Sequence, residues 1–328
     1  MKLQNKKVLV TGAGGFIGSH LAENLAAAGA SVRAFVRYNS KNNWGWLEKS
    51  PYQDRIEVHT GDIRDYDSVK SALQGVQVVF HLAALIGIPY SYVSPLAYIK
   101  TNIEGVYNIL QAARELGVEK VIHTSTSEVY GTARFAPISE EHPLQPQSPY
   151  SASKIGADNL ALSFHYSFKA PVVIARPFNT YGPRQSARAI IPTIITQILN
   201  GERRIKLGNL SPTRDLNFIQ DTVKGFIQIA ECDQLTGTVV NIGSGQEISI
   251  GDLAGMIAKL MGVELEICQE ERRVRPENSE VQRLLCDNTK IRKYTGWQPE
   301  HSLESGLLKT IDWLKSNLNL YKPEIYNV

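Results

Sequence analysis

The stretch VLVTGAGGFIGSHL, Val8 to Leu21, constrains the fold more than any other part of the chain. A β-branched apolar run passes into glycines at 12, 15 and 18, and then into SHLAENLAAAGA, whose leucines and alanines favour a helix. Strand, tight turn and helix in that order open a βαβ unit. The rhythm continues: SVRAFVR, VQVVFHLAA, KVIHTSTS and PVVIARP read as buried strands. Between them DSVKSALQG, TNIEGVYNILQAARELG and a segment from about Tyr150 to Phe168 read as helices. Such alternation requires a parallel sheet wrapped by helices, so the expected class is α/β with a doubly wound sheet.

Beyond Tyr181 the rhythm gives way to loops rich in Pro, Arg and Gly with shorter helices, although GTVVNIGS reads as one more buried strand. The expected organisation is a Rossmann-type domain of residues 1–181 plus about 237–261, and a smaller C-terminal α/β lobe of about 182–236 and 262–328. Composition narrows the function. The 35 basic and 32 acidic residues are spread without a basic run, which argues against nucleic acid as a partner. Cys232, Cys268 and Cys286 are far apart and without metal-ligand spacing, which fits a reducing cytoplasm and no metal site. No run approaches the ~18 apolar residues of a membrane helix.

The glycines have a chemical meaning as well as a conformational one. They let a backbone approach a pyrophosphate while the helix start offers unpaired N–H donors, so a dinucleotide is the expected ligand. Gly12, Gly15, Phe16, Ile17 and Gly18 form its cradle, with Asp62 and Ile63 after the third strand and Leu82, Ala83 and Ala84 after the fourth. An NAD site usually carries an acid at the end of the second strand. VRAFVRYNS has none there, whereas Arg37 and Ser40 suit a 2′-phosphate, so NADP is expected ahead of NAD. Asp62 can accept from an adenine amino group or cap the next helix.

YSASK sets Tyr150 and Lys154 one helical turn apart, where an ammonium can lower the phenol's pKa and make it a base. YDSVK, Tyr66 to Lys70, has the same spacing but opens a helix too early in the chain to meet the sheet's carboxyl end. Tyr150 follows HTSTSEVYG, where a strand ends in hydroxyls with one acid, Glu128, among them.

TGAGGFIGSHL, HLAA, YSASK, RPFNTYGPRQ and RDLNFIQD resemble, in order, the landmarks of the extended short-chain dehydrogenase/reductase (epimerase/dehydratase) family, and YTGWQPEHSLESGLLKTIDWL resembles its C-terminus. The resemblance covers nearly the whole chain. It implies an enzyme with NAD(P) in the larger lobe, a nucleotide-linked sugar in the smaller one, and a homodimer seamed by its two long helices. Val106, Ile109, Leu110, Leu160, Leu162 and Phe164 are the apolar positions expected to supply that seam. TSE, Thr126 to Glu128, is similar to the GDP-mannose 4,6-dehydratases; dTDP-glucose dehydratases have Asp where this chain has Ser127. IPYSYVSPLAYIKTNIEGVYNILQAA and RPENSEVQRLLCDNTK look most like dehydratases of legionaminic acid synthesis, which act on an N-acetylglucosamine nucleotide.

Carried over by position, the resemblance implies that Thr126 bonds the sugar 4-hydroxyl, Tyr150 removes its proton and Lys154 holds the nicotinamide ribose. Asn179, Arg184, Arg214 and Arg275 are implied to face the diphosphate or base. A 4-keto group makes the C5 proton acidic, and Glu128 is the base expected to remove it as the 6-hydroxyl leaves. With Ser127 unable to act as a strong acid, Glu128 is expected to pass that proton to the leaving hydroxyl. The expected activity is a 4,6-dehydratase; a 4-epimerase leaves Glu128 idle, and a non-catalytic NADP-binding regulator has no use for Tyr150 and Lys154.

Overall fold

The computed structural model describes residues 1–326. Its centre is a sheet of seven parallel strands. Six are β1 (Lys7–Thr11), β2 (Ser31–Arg37), β3 (Ile56–Gly61), β4 (Val78–His81), β5 (Lys120–Thr124) and β6 (Val172–Pro177); Val239–Ile242 is the seventh. Across the sheet they run β3, β2, β1, β4, β5, β6, then Val239–Ile242. The order reverses between β1 and β4, so the crevice at their carboxyl ends is where this architecture binds ligands. Val8, Val10, Val78, Phe80, Ile122 and Val173 are fully buried, as a sheet covered on both faces requires.

The helices expected from the sequence are present as α1 (Phe16–Ala27), α2 (Tyr66–Ala72), α5 (Gly105–Glu115) and α6 (Pro149–Phe168); two short ones not expected from it, α3 (Ile88–Val93) and α4 (Pro95–Tyr98), precede α5. A π-helical turn, Ile99–Glu104, joins α4 to α5. Such turns insert a residue and re-aim the side chains around them. Here Asn102 is turned inward, where it bonds the backbone of Leu85 in both directions and Ser153 Oγ on α6.

The smaller lobe has two small sheets. In one, Thr213–Phe218 pairs with Asn179–Tyr181, Glu247–Ser249 and Arg283–Leu284; in the other, Arg204–Leu207 pairs with Glu266–Gln269. Two segments lie elsewhere than the sequence reading put them. Helix Ile219–Glu231 packs on α1 and the large sheet, with Phe226 and Ile229 in the core around Val8 and Val10. Helix Ile250–Met261 packs instead on helices Ile190–Leu199 and Leu303–Ser316. Amphipathic spacing shows that a helix has an apolar face, but not which layer receives it.

Of the six expected seam residues, Leu160 and Leu162 are half-buried and the other four are not at the surface. Val106, Ile109, Leu110 and Phe164 are at most 5% exposed, filling the chain's own core beside Val79 and Val121. The apolar residues that α4 to α6 leave exposed are Leu96, Ile99, Tyr107, Tyr166 and Phe168.

Candidate active site

One cleft of about 1170 Å³ runs from the glycine loop, past the ends of β4 and β5, into the smaller lobe. Its first wall is the turn between β1 and α1. Gly12 has φ +68°, a conformation glycine adopts freely, and a Cβ at Gly18 would collide with the Gly12 carbonyl. The loop therefore lies flat on the helix start: the N–H groups of Gly12 and Ala13 bond the Phe35 carbonyl and that of Gly15 bonds the Gly12 carbonyl, so the donors left for a ligand are those of the first turn of α1. Thr11 fixes the opposite wall. Its Oγ1 accepts from the N–H groups of Leu82 and Ala83 and so donates to His81 Nδ1, 2.8 Å away. Burial keeps His81 neutral, its pKa well below the ordinary range, as that acceptor role requires.

Gly12, Gly15, Phe16, Ile17, Gly18, Arg37, Asp62, Ile63, Leu82, Ala83 and Ala84 all line this part of the cleft. Ser40 is exposed and outside it. Asp62 takes a forked ion pair from Arg64, which holds its carboxyl below the usual range, and the cap of α2 comes from Asp65. Asn39, Asn43, Trp44 and Gly45 complete the wall, a contribution with no motif to announce it. A flat glycine cradle at a helix start and an elongated cleft fit a nicotinamide dinucleotide. So does the Thr124 hydroxyl, a cleft-lining buried group without a partner in the protein.

The chemistry sits at the end of β5. After Thr124 the chain turns through a single 3₁₀ turn, Ser127–Tyr130, whose N-cap is Thr126: its Oγ1 accepts from Glu128 N–H at 3.2 Å. Val129 and Tyr130 are buried beneath, so Thr126, Ser127 and Glu128 are left lining the cleft. Ser148 caps α6, with Pro149 at its first turn and a reciprocal bond to Ser151, which seats Tyr150 at the cleft. Tyr98 meets the Tyr150 ring edge-on at 6.2 Å. Burial pushes the phenol far above its usual pKa; Thr126 opposes this and Glu128 adds to it.

Lys154 is buried one turn further on, and its Nζ donates to the Thr124 carbonyl at 2.7 Å. Burial lowers its pKa to about 8, against the pull of Asp158. The ammonium thus sits at the strand end, one helical turn from Tyr150. Beneath it Asp158, fully buried, accepts from Ser125 Oγ, from Arg176 through two nitrogens, and faces His123 Nε2 at 3.2 Å. Burial acts to raise the Asp158 carboxyl, but these partners outweigh it and hold it low. The second tyrosine-lysine spacing carries none of this: Lys70 pairs with Glu115 on the surface.

In the smaller lobe, Asn179, Arg214 and Arg275 line the cleft. Asn179 Oδ1 is buried without a partner, an acceptor available to a ligand. Arg184 does not join them. Its guanidinium forms a fork with Glu23 and a bond to Ser19, both on α1, and it stands outside the cleft. Its motif runs on to Gln185, which does line the cleft.

The GDP-mannose 4,6 dehydratase family model matches residues 9–310. The chain belongs to this family of nucleotide-sugar epimerases and dehydratases. It is 32% identical over 320 residues to a dTDP-glucose 4,6-dehydratase of Streptomyces antibioticus, covering 96% of this chain and 94% of the relative. It is 33% identical to a UDP-glucose 4-epimerase of Mycolicibacterium smegmatis, covering 94% and 99%. The solved dTDP-glucose 4,6-dehydratase of Streptomyces venezuelae, with NAD bound, superposes with a TM-score of 0.88 at 30% identity, over 97% of this chain and 99% of that one. Family membership makes the chain an enzyme of this class with a nicotinamide dinucleotide. NAD fits, and the preference expected for NADP finds no support in the comparison. With Ser40 outside the cleft, that preference rests on Arg37 alone.

Proposed function

We propose that this enzyme is a nucleotide-sugar 4,6-dehydratase, acting on a UDP- or GDP-linked hexose of the N-acetylglucosamine type. The observation that carries the reading is the position of Glu128. It lines the cleft two residues beyond Thr126, in the same wall region as Tyr150 and Arg214. A dehydratase needs a base beyond the pair that handles the 4-hydroxyl, and an epimerase does not.

In this reading the glycine loop, Asp62–Ile63 and Leu82–Ala84 would hold the dinucleotide, which would supply a reversible hydride acceptor for the sugar's C4 and C6. Thr126 fixes the 4-hydroxyl and Tyr150 takes its proton. Lys154 is poised beside Thr124 to bond a ribose hydroxyl. Glu128 removes the C5 proton and, with Ser127 unable to act as an acid, delivers it to the departing 6-hydroxyl; as hydride arrives at C6, C5 takes a proton that originates in solvent. Arg214 and Arg275 face the diphosphate and Asn179 the substrate. The exposed Tyr107, Tyr166 and Phe168 on α5 and α6 supply the face of a homodimer.

The test is product analysis with UDP- and GDP-linked N-acetylglucosamine, GDP-mannose and dTDP-glucose. A dehydratase gives loss of water by mass spectrometry; label placed at C4 appears at C6, and solvent deuterium enters at C5. An inverted alcohol with no loss of water means a 4-epimerase.

A further inference from the structure

Two arginines in the cleft are not free to meet a phosphate. Glu280 Oε1 accepts from Arg214 Nη2 at 3.2 Å and lies 3.4 Å from Arg275 Nη1. The carboxylate and the Arg214 guanidinium are largely buried, with side chains 11% and 8% exposed, and all three residues line the cleft. Glu280 is also held firmly. Its N–H bonds the Pro276 carbonyl, its own carbonyl accepts from Gln147, and Ser279 beside it donates to the Gln147 carbonyl. Nothing about a site for an anionic group calls for a carboxylate between its two cations, which reduces their attraction for the ligand.

Arg214 has a second acidic neighbour. Burial lowers its pKa, and the leading opposing influence is the negative charge of Glu128, ahead of Glu280. One guanidinium is therefore shared between the carboxylate at the reacting end of the cleft and the carboxylate at its far side.

We propose that Glu280 is a counter-ion displaced by substrate: it holds Arg214 and Arg275 in place when no diphosphate is bound, yields them when one arrives, and thereby weakens diphosphate binding and speeds product release. It is a positioning residue and takes no part in bond making. The inference rests on the reading that Arg214 and Arg275 receive the diphosphate.

Calorimetric titration of the full-length protein with UDP, GDP and dTDP separates the possibilities. Glu280→Gln keeps the shape and removes the charge, and should tighten the best-bound of the three by about 10-fold or more, with a steeper dependence on salt. Glu280→Ala should tighten it in the same direction, and serves if the glutamine variant folds poorly. A residue of merely structural importance gives weaker binding when lost. Unchanged or weaker binding by both variants, while Arg214→Ala still loses affinity, overturns the proposal and leaves the diphosphate site standing. Unchanged binding by both Arg214→Ala and Arg275→Ala overturns the diphosphate site itself, and Glu280 with it.

Discussion

Lys154→Met should make the protein more stable at neutral pH while abolishing turnover. Burial lowers the Lys154 pKa from the ordinary 10.5 to about 8, so at pH 7 the folded chain carries an ammonium that the unfolded chain holds far more comfortably. The linkage has a definite sign. The unfolded state binds more protons between about pH 8 and 10.5, so stability from this group rises with pH across that window. Below pH 8 both states are charged and the full penalty stands. A displacement from 10.5 to about 8 sets it at about 3 kcal/mol at pH 7, falling below about 1 kcal/mol at pH 10.

Methionine removes that penalty but leaves the Thr124 carbonyl without its donor, at about 1–3 kcal/mol independent of pH. The net gain at pH 7 is then small, and the informative quantity is the change in the difference between the two proteins. Urea unfolding of both at pH 7 and pH 10 should show the advantage of the variant shrinking by about 2–3 kcal/mol, because other titrating groups cancel. A difference that stays constant across the two pH values, or that grows on the alkaline side, refutes the claim that Lys154 is a strained buried cation.

Three further outcomes follow from the site. Glu128→Gln should retain oxidation at C4 and lose dehydration by about 10² to 10⁴ in rate, leaving reduced cofactor detectable by its absorbance; normal dehydration would remove Glu128 from the mechanism. Arg37→Asp should lower the ratio of NADP to NAD affinity by about 10-fold or more in a fluorescence titration, the scale of one charge-assisted contact, and an unchanged ratio means that Arg37 does not meet a 2′-phosphate. Tyr166→Arg combined with Tyr107→Glu should shift light scattering toward the monomer if α5 and α6 form the dimer face, whereas a monomeric parent protein at micromolar concentration rules that face out.

Much of the site was legible because its residues are constrained by covalent spacing. The glycine loop must sit between a strand and a helix, and Tyr150 and Lys154 must share a helix face wherever that helix lies. The failures have a different origin. Arg184 belongs to the same run of motif as Asn179, yet its guanidinium turns back to Glu23, a partner 161 positions away. Ser40 is three residues past the end of β2, and its position depends on a loop with no repeating pattern. Glu280 and Asp158 were invisible for the complementary reason. Each acquires its meaning from partners that only the fold delivers: Arg214 and Arg275 to the one, Arg176 and His123 to the other.

These two carboxylates show how charge is arranged along the cleft. Asp158 lies under the sheet end, fully buried, and is locked by donors from β5, β6 and the segment between β5 and the 3₁₀ turn. Its charge cannot move, so it serves as a fixed support for Lys154. Glu280 is held by its backbone but bonds arginines through a single oxygen at 3.2 and 3.4 Å, long for charge-assisted contacts. A pair that loose can be exchanged for phosphate oxygens with little loss, whereas the Asp158 network cannot be opened without stranding a buried charge. The same acid–base vocabulary thus serves rigidity at the reacting end and exchange at the binding end, and the difference lies in how many donors each carboxylate has and how short they are.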